Sequence, residues 1–275
     1  MTHHQDIASA LGRELWTTDS FVPRYRSGVM GSWRIHPGGN LVSDWGYWSG
    51  PCLMEMLPSL ARKVHTPSEA GQEGWETWMS LTPLEIESQE LGYLNATGHV
   101  AIMGLGMGWI AANAALCAEV TRVTVVERDP EVVSLFHRSG AFDSIPEQGR
   151  RKIEIVLDDA LTWRPEPEAA VDFLYADIWL QLMEPGALGQ VRQMQDNVQS
   201  RTLYFWGQEL AIYAAIQRDA GDNAAISEDA IQSAVADIIR LPLLVPDERD
   251  YATMIDQVVR NRIERRPPLD LSAIL

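Results

Sequence analysis

The chain has 275 residues with a formal net charge of −16, and 46% of it is hydrophobic and 22% charged. That is enough material for one large core, or one core with a small appendage. A phosphate-tracking surface needs clustered Lys and Arg, so the acidic balance argues against nucleic acid as a partner, and the two cysteines, Cys52 and Cys117, are too few for a disulfide framework.

Residues 1–16 lack a basic stretch followed by an apolar one, so no signal peptide is expected. The longest apolar run, Val100 to Ala112, is glycine-broken and shorter than the ~20 residues that span a bilayer. The expectation is a cytoplasmic protein with no membrane partner. Residues 1–80 form a first region, holding six of the ten tryptophans and many glycines. Turn signals at Pro37-Gly38-Gly39 and Ser49-Gly50-Pro51 predict a small hairpin-rich or irregular segment covering the substrate site. A short helix is expected over Cys52 to Lys63, then a polar surface loop from Thr66 to Gly74.

Thr82-Pro83-Leu84-Glu85 reads as a capping box with proline at the first helical position, which predicts a helix from Pro83 to about Leu94. His99 to Met103 is a short apolar run suited to a buried parallel strand. Gly104, Gly106 and Gly108 follow at alternate positions, then a small-residue helical stretch, Trp109 to Ala118. A second apolar run, Val123 to Val126, ends in Glu127. Strand, glycine turn, helix, strand and terminal acid make a nucleotide-binding unit. The glycines permit a sharp turn and close ligand approach. The helix aims its first N–H groups over that turn, and Glu127 is placed to accept hydrogen bonds from two ribose hydroxyls.

Asp129 then caps a helix beginning at Pro130. Further strands are expected at Lys152 to Leu157, Val171 to Ala176 and Thr202 to Trp206, with a helix around Leu188 to Val198 before the last. The alternation implies an α/β fold with a Rossmann-like, doubly wound parallel sheet of order 3-2-1-4-5. Residues 81–207 form this core. Residues 208–275 are read as mainly helical, packing on the sheet or on a second subunit, so a homodimer stays open. Pro267-Pro268 is expected to end the last helix.

A dinucleotide-binding turn would need glycine at position 109, where the chain has Trp109. The pattern G-x-G-x-G resembles the first motif of class I S-adenosylmethionine (SAM)-dependent methyltransferases. The run Val123 to Val133, together with Asp158-Asp159-Ala160 and Asp177, is similar to the spermidine synthase branch of that superfamily. The resemblance spans about residues 83–206. It implies SAM as cofactor, with Gly104, Gly106 and Gly108 under its amino-acid end, Glu127 on the ribose, and Asp158-Asp159-Ala160 at the adenine, Asp159 preferred for the contact. It also sets Asp177 beside the reacting centre, as general base or as the group that orients the acceptor.

The departures from that branch are specific. Met107 stands where aminopropyltransferases carry an acid in the glycine turn, and Leu180 where they carry a second aspartate. Methyl transfer to a small-molecule amine, hydroxyl or carboxylate is therefore the preferred reading. The alternatives are aminopropyl or other SAM-arm chemistry (aminocarboxypropyl transfer or cyclisation), and a SAM-binding protein without turnover. Trp45, Tyr47, Trp48 and Trp179 are candidates to line the acceptor pocket, since aromatic faces suit a cation or a flat apolar group. His36 and Asp44 are reserve acid–base candidates. The histidines and cysteines lack metal-ligand spacing, so no catalytic metal is expected.

Overall fold

A computed structural model describes residues 3–10, 12, 15–39, 41–55, 57–65, 73–182, 184–221, 224–247 and 250–265. Helix α1 (His3–Ala10) precedes six strands: β1 (Gly28–Met30), β2 (Trp33–His36), β3 (Leu41–Trp45), β4 (Pro51–Glu55), β5 (Ser59–His65) and β6 (Glu73–Ser80). Then come α2 (Pro83–Leu94), β7 (Gly98–Met103), α3 (Trp109–Leu116), β8 (Val120–Glu127), α4 (Pro130–Arg138), the single turns α5 (Ala141–Ser144) and α6 (Glu147–Arg150), and β9 (Ile153–Leu157). The chain continues through β10 (Phe173–Ala176), α7 (Ala187–Val198), β11 (Thr202–Phe205), α8 (Gln208–Ala220), α9 (Glu228–Ser233), a π-helical turn (Ala234–Ile239) and α10 (Tyr251–Arg265).

The core is a five-stranded sheet of order β11-β10-β7-β8-β9, parallel at every pairing. Counted from β7 as the first strand and read from the other edge, this is the expected order 3-2-1-4-5. Its central strands β7 and β10 are almost continuously apolar and buried, because helices cover both faces. The chain therefore has the α/β Rossmann-like fold that its periodicity implies. Two strand ends meet so closely that a Cβ on Gly104 would lie 2.3 Å from the Asp177 carbonyl oxygen. Gly104 also sits at φ 97°, a second reason for glycine there.

The N-terminal region is more regular than its sequence suggests. Strands β1-β2-β5-β6 form an antiparallel sheet and β3-β4 a separate hairpin. The helix expected over Cys52 to Lys63 is instead split between β4 and β5. Pro58 lies in the middle of that stretch, where it would remove a helical N–H and clash with the preceding turn. β5 gains ladder partners on both sides, β2 and β6, which local helix propensity cannot match. Of the loop expected from Thr66 to Gly74, residues 66–72 lie outside the described residues, and Glu73 and Gly74 begin β6. The expected stop at Pro267-Pro268 also lies outside them.

The antiparallel sheet is fastened to the core by specific bonds. Trp33 Nε1 donates to Asp129 Oδ2 at 2.7 Å, and the Ser32 N–H donates to Glu131 Oε2 at 2.9 Å. The β3-β4 turn is held on α2 by Glu87, which accepts from the Trp48 and Ser49 N–H groups, the Ser49 hydroxyl and Trp16 Nε1. The C-terminal helices pack against α8, and Leu203 makes a parallel bridge with Leu243 at the outer sheet edge. No described helix is long and apolar enough to cross a membrane.

Candidate active site

A cavity of about 740 Å³ opens at the carboxyl ends of the parallel strands. Open α/β sheets hold ligands at this edge, where strand order reverses between β7 and β10. Its floor comes from the core, through Gly104, Leu105, Gly106, Glu127, Asp159, Ala160, Tyr175 and Asp177. One wall is α2, through Glu85 and Gln89, and the roof is the antiparallel sheet, through Trp33, Leu60, Arg62, Trp78 and Met79.

Glu127 ends β8 facing the glycine turn. Its Oε2 accepts from the Leu105 N–H at 3.0 Å and its Oε1 from the Asp129 N–H at 2.8 Å. One carboxylate thus braces both sides of the turn while lining the cavity. Gly104 and Gly106 line the cavity too, and a Cβ on Gly106 would meet Met79 Sδ at 2.5 Å. Gly108 does not line it; a Cβ there would collide with Phe136 of α4. Its absent side chain serves helix packing, so no cofactor role is carried forward for Gly108.

Asp159 and Ala160 line the cavity, and Asp159 Oδ1 caps the Leu161 N–H at 2.8 Å. Asp158 stays outside, capping the Asp159 N–H at 2.7 Å. Of these two exposed neighbours, only Asp159 reaches the cavity lining.

Asp177 follows β10 at the cavity floor. Part of its surface is open to the cavity, yet protein surrounds it, and burial pushes its carboxyl from the ordinary 3.8 to about 7. No hydrogen bond to its side chain occurs among the described residues. Glu85 of α2 is 8% exposed and accepts from Gln89 Nε2 at 2.7 Å. Burial first, then the charge of Asp177, hold Glu85 well above the usual carboxylate range, while the Gln89 hydrogen bond opposes them. Tyr175 is 2% exposed and lines the same cavity, and its hydroxyl has no partner among the described residues. Burial, then Asp177, Glu85 and Glu209, raise that phenol well above its ordinary range. Trp109 Nε1, at the start of α3, is likewise buried, cavity-lining and unpartnered among the described residues.

Of the aromatic candidates, Trp179 lines the cavity and donates its Nε1 to Gln190 Oε1. Trp45, Tyr47 and Trp48 do not line it. Trp45 closes the β3-β4 hairpin opposite Pro51, Tyr47 donates its hydroxyl to Glu209 Oε2, and the Trp48 N–H is held by Glu87. They are drawn off by these bonds, and Trp33, Trp78, Trp109 and Trp206 take the lining positions instead. His36 and Asp44 also lie outside the lining. Glu85 and Gln89 are absent from the sequence-based site because Glu85 reads there as the helix-capping residue. Its N–H does donate to Thr82 Oγ1 at 3.4 Å, but its side chain goes to Gln89 and the cavity. Among the described residues no group of three or more His, Cys, Asp and Glu could hold a metal ion.

No family model matches the chain, and no curated protein matches its sequence. Among solved structures, a Pyrococcus horikoshii protein provisionally designated an RNA methyltransferase is 19% identical, with a TM-score of 0.35, over 47% of this chain and 60% of that one. The 23S rRNA methyltransferase ErmE is 20% identical, TM-score 0.32, over 43% and 42%. The glycopeptide N-methyltransferase MtfA, crystallised with S-adenosylhomocysteine, is 16% identical, TM-score 0.31, over 41% and 41%. The matched part thus spans 60% or less of these proteins' own lengths. Nothing in these likenesses favours the spermidine synthase branch. Substrate and reaction are left to the residues of this chain.

Proposed function

We propose that the protein is a SAM-dependent methyltransferase acting on a small molecule. One convergence carries this reading: a ligand-sized cavity joins the glycine turn, Glu127 and Asp159 to the buried acid Asp177. A volume of about 740 Å³ falls within the usual range of small-molecule sites. The residues fit the cofactor chemically. Glu127 would take the ribose hydroxyls, Asp159 the adenine amino group, and the backbone at the cavity-lining Gly104 and Gly106 the amino-acid end. Trp109, which lines the cavity, holds a further N–H donor without a partner among the described residues. The bound cofactor would supply an electrophilic methyl group on a sulfonium.

The chain's own part is alignment, exclusion of water and proton management. Positioning accounts for most of the acceleration in such a displacement. The roof residues Trp33, Trp78 and Met79 keep water from the reacting atoms. An amine or hydroxyl acceptor must also lose a proton, and Asp177, with its pKa near neutrality, is suited to take it. Residues 81–207 are the cofactor-binding core in this reading, with residues 1–80 over the acceptor and residues 208–275 supporting the sheet.

Calorimetry with SAM, S-adenosylhomocysteine and NADH tests the cofactor assignment, and product identification tests the reaction. Heat from the first two ligands and none from NADH is expected. S-adenosylhomocysteine as product means methyl transfer, whereas methylthioadenosine would mean attack on the side arm and overturn it.

A further inference from the structure

The acceptor end of the cavity contains two acids and no base to neutralise them. Glu85 and Asp177 form no ion pair with Lys or Arg among the described residues, and only Gln89 donates to the pair. Tyr175 lines the same cavity and feels the charge of both acids, and its buried hydroxyl is unpartnered among the described residues. Buried polar groups without partners are rare in folded proteins and mark places where something else completes the bonding. A group bound here can exchange a hydrogen bond with the phenol and offset the charge of the carboxylates.

We propose that this end of the cavity is a cation site, in which Glu85, Asp177 and the Tyr175 hydroxyl receive an organic ammonium as the acceptor substrate. The inference rests on the methyl-transfer reading and specifies its acceptor class. An ammonium N–H can donate to each carboxylate, while its organic part lies against Trp179 and Trp206, which line the same cavity. Aromatic walls favour a cation over a neutral group of the same shape. The other charged groups of the lining are placed differently. Arg62 is exposed and engaged with Trp33 and Trp78 at 5.6 and 5.8 Å, and Arg128 is exposed just past the end of β8. Glu127 belongs to the glycine turn, Asp129 accepts from Trp33 Nε1 and the Glu131 N–H, Asp159 caps Leu161, and Glu184 lies in the turn before α7. Glu209 acts only through Tyr175 and is itself bonded to three tyrosines.

Proton accounting follows from the pairing. Two buried carboxylates in one cavity cannot both ionise readily, so the empty site retains a proton. An incoming ammonium supplies the compensating charge, and that proton leaves to solvent. Before the nitrogen can act as a nucleophile it must lose one N–H proton. That N–H bond breaks, an O–H bond forms on Asp177, and the electron pair stays on nitrogen.

The test uses a panel of alkyl and arylalkyl ammonium ions, each matched with the alcohol of the same shape, such as benzylammonium and benzyl alcohol. Calorimetry in two buffers of different ionisation enthalpy reads affinity and proton release together. At least one ammonium should bind about tenfold or more tighter than its alcohol and release ~1 proton near neutral pH. Glu85→Gln and Asp177→Asn together should abolish both the preference and the proton release. Tyr175→Phe removes an unpartnered hydroxyl, so it should fold normally and still weaken the ammonium. No preferred ammonium in the panel, or a preference that survives the double variant, would overturn the cation site. SAM affinity is measured separately on the same proteins. An ammonium preference without SAM binding would keep the cation site and remove methyl transfer; the reverse would remove the cation site alone.

Discussion

Buried acids at two places in the molecule, Glu209 at one and Asp177 with Glu85 at the other, have opposite fates. Glu209 of α8 is fully buried and accepts from Tyr47 at 3.0 Å and Tyr251 at 2.8 Å. The Tyr204 hydroxyl, 3.0 Å from Glu209 and 2.8 Å from the Ser88 carbonyl, shares its one proton between them. Burial raises the Glu209 pKa and the tyrosine hydrogen bonds pull it back down. Three parts of the chain meet there: the N-terminal hairpin turn, the outer strand β11 and the last helix α10. Asp177 receives no hydrogen bond to its carboxylate among the described residues, and Glu85 only one side-chain donor. Burial is common to both places, and the donors differ. A carboxylate surrounded by hydroxyls is a strut, whereas one left facing a cavity is available for chemistry.

The largest way to sharpen that contrast is Asp177→Asn. Turnover should fall by roughly 10²–10⁴ if the carboxylate is a general base. SAM affinity should change less than about tenfold, because Asp177 is on the acceptor side. Kinetics and calorimetry on the same folded variant separate the two effects. Glu209→Ala should instead act on stability. It leaves buried tyrosine hydroxyls without an acceptor and should cost about 3–5 kcal/mol in denaturant unfolding. Unchanged stability would mean that the tyrosine cluster is no strut.

Glu127→Ala is expected to weaken SAM binding by about 1.5–3 kcal/mol, the usual worth of a charged hydrogen bond. The brace between Leu105 and Asp129 is lost as well, so thermal unfolding should be followed beside the calorimetry. The pH profile is next. Turnover should rise as pH passes about 7, where Asp177 becomes ionised, and the rise should vanish in Asp177→Asn.

A further expected effect is on stability against pH. Between its ordinary 3.8 and about 7, folded Asp177 holds a proton that the unfolded chain has released. Stability therefore falls as pH rises through that window, and the cost is complete above it. Asp177→Asn should accordingly melt higher than the parent at pH 8 and show no such gain at pH 3. An equal gain at both values would detach the effect from ionisation.

Local signals determined much of this molecule. The helix Pro83–Leu94 was legible from Thr82 and Pro83, since a cap and a fixed φ act within one turn. The five core strands and their order were legible because apolar runs alternating with amphipathic helices admit few parallel arrangements. Strand tips also carry meaning in such a sheet, and for that reason Glu127, Asp159 and Asp177 could be singled out and do line the cavity. The antiparallel roof was not legible, because β5 is a strand only through partners on both sides, one of them far along the chain. Nor was the fate of three acids on α2 and α8. Glu85 looks like a cap and faces the cavity, Glu87 anchors the N-terminal hairpin turn, and Glu209 gathers tyrosines from distant segments. Sequence sets which residues are acidic and which ends of strands they occupy. The tertiary structure alone decided which acids found donors and which were left facing the cavity, because a carboxylate's behaviour depends on what surrounds it in space.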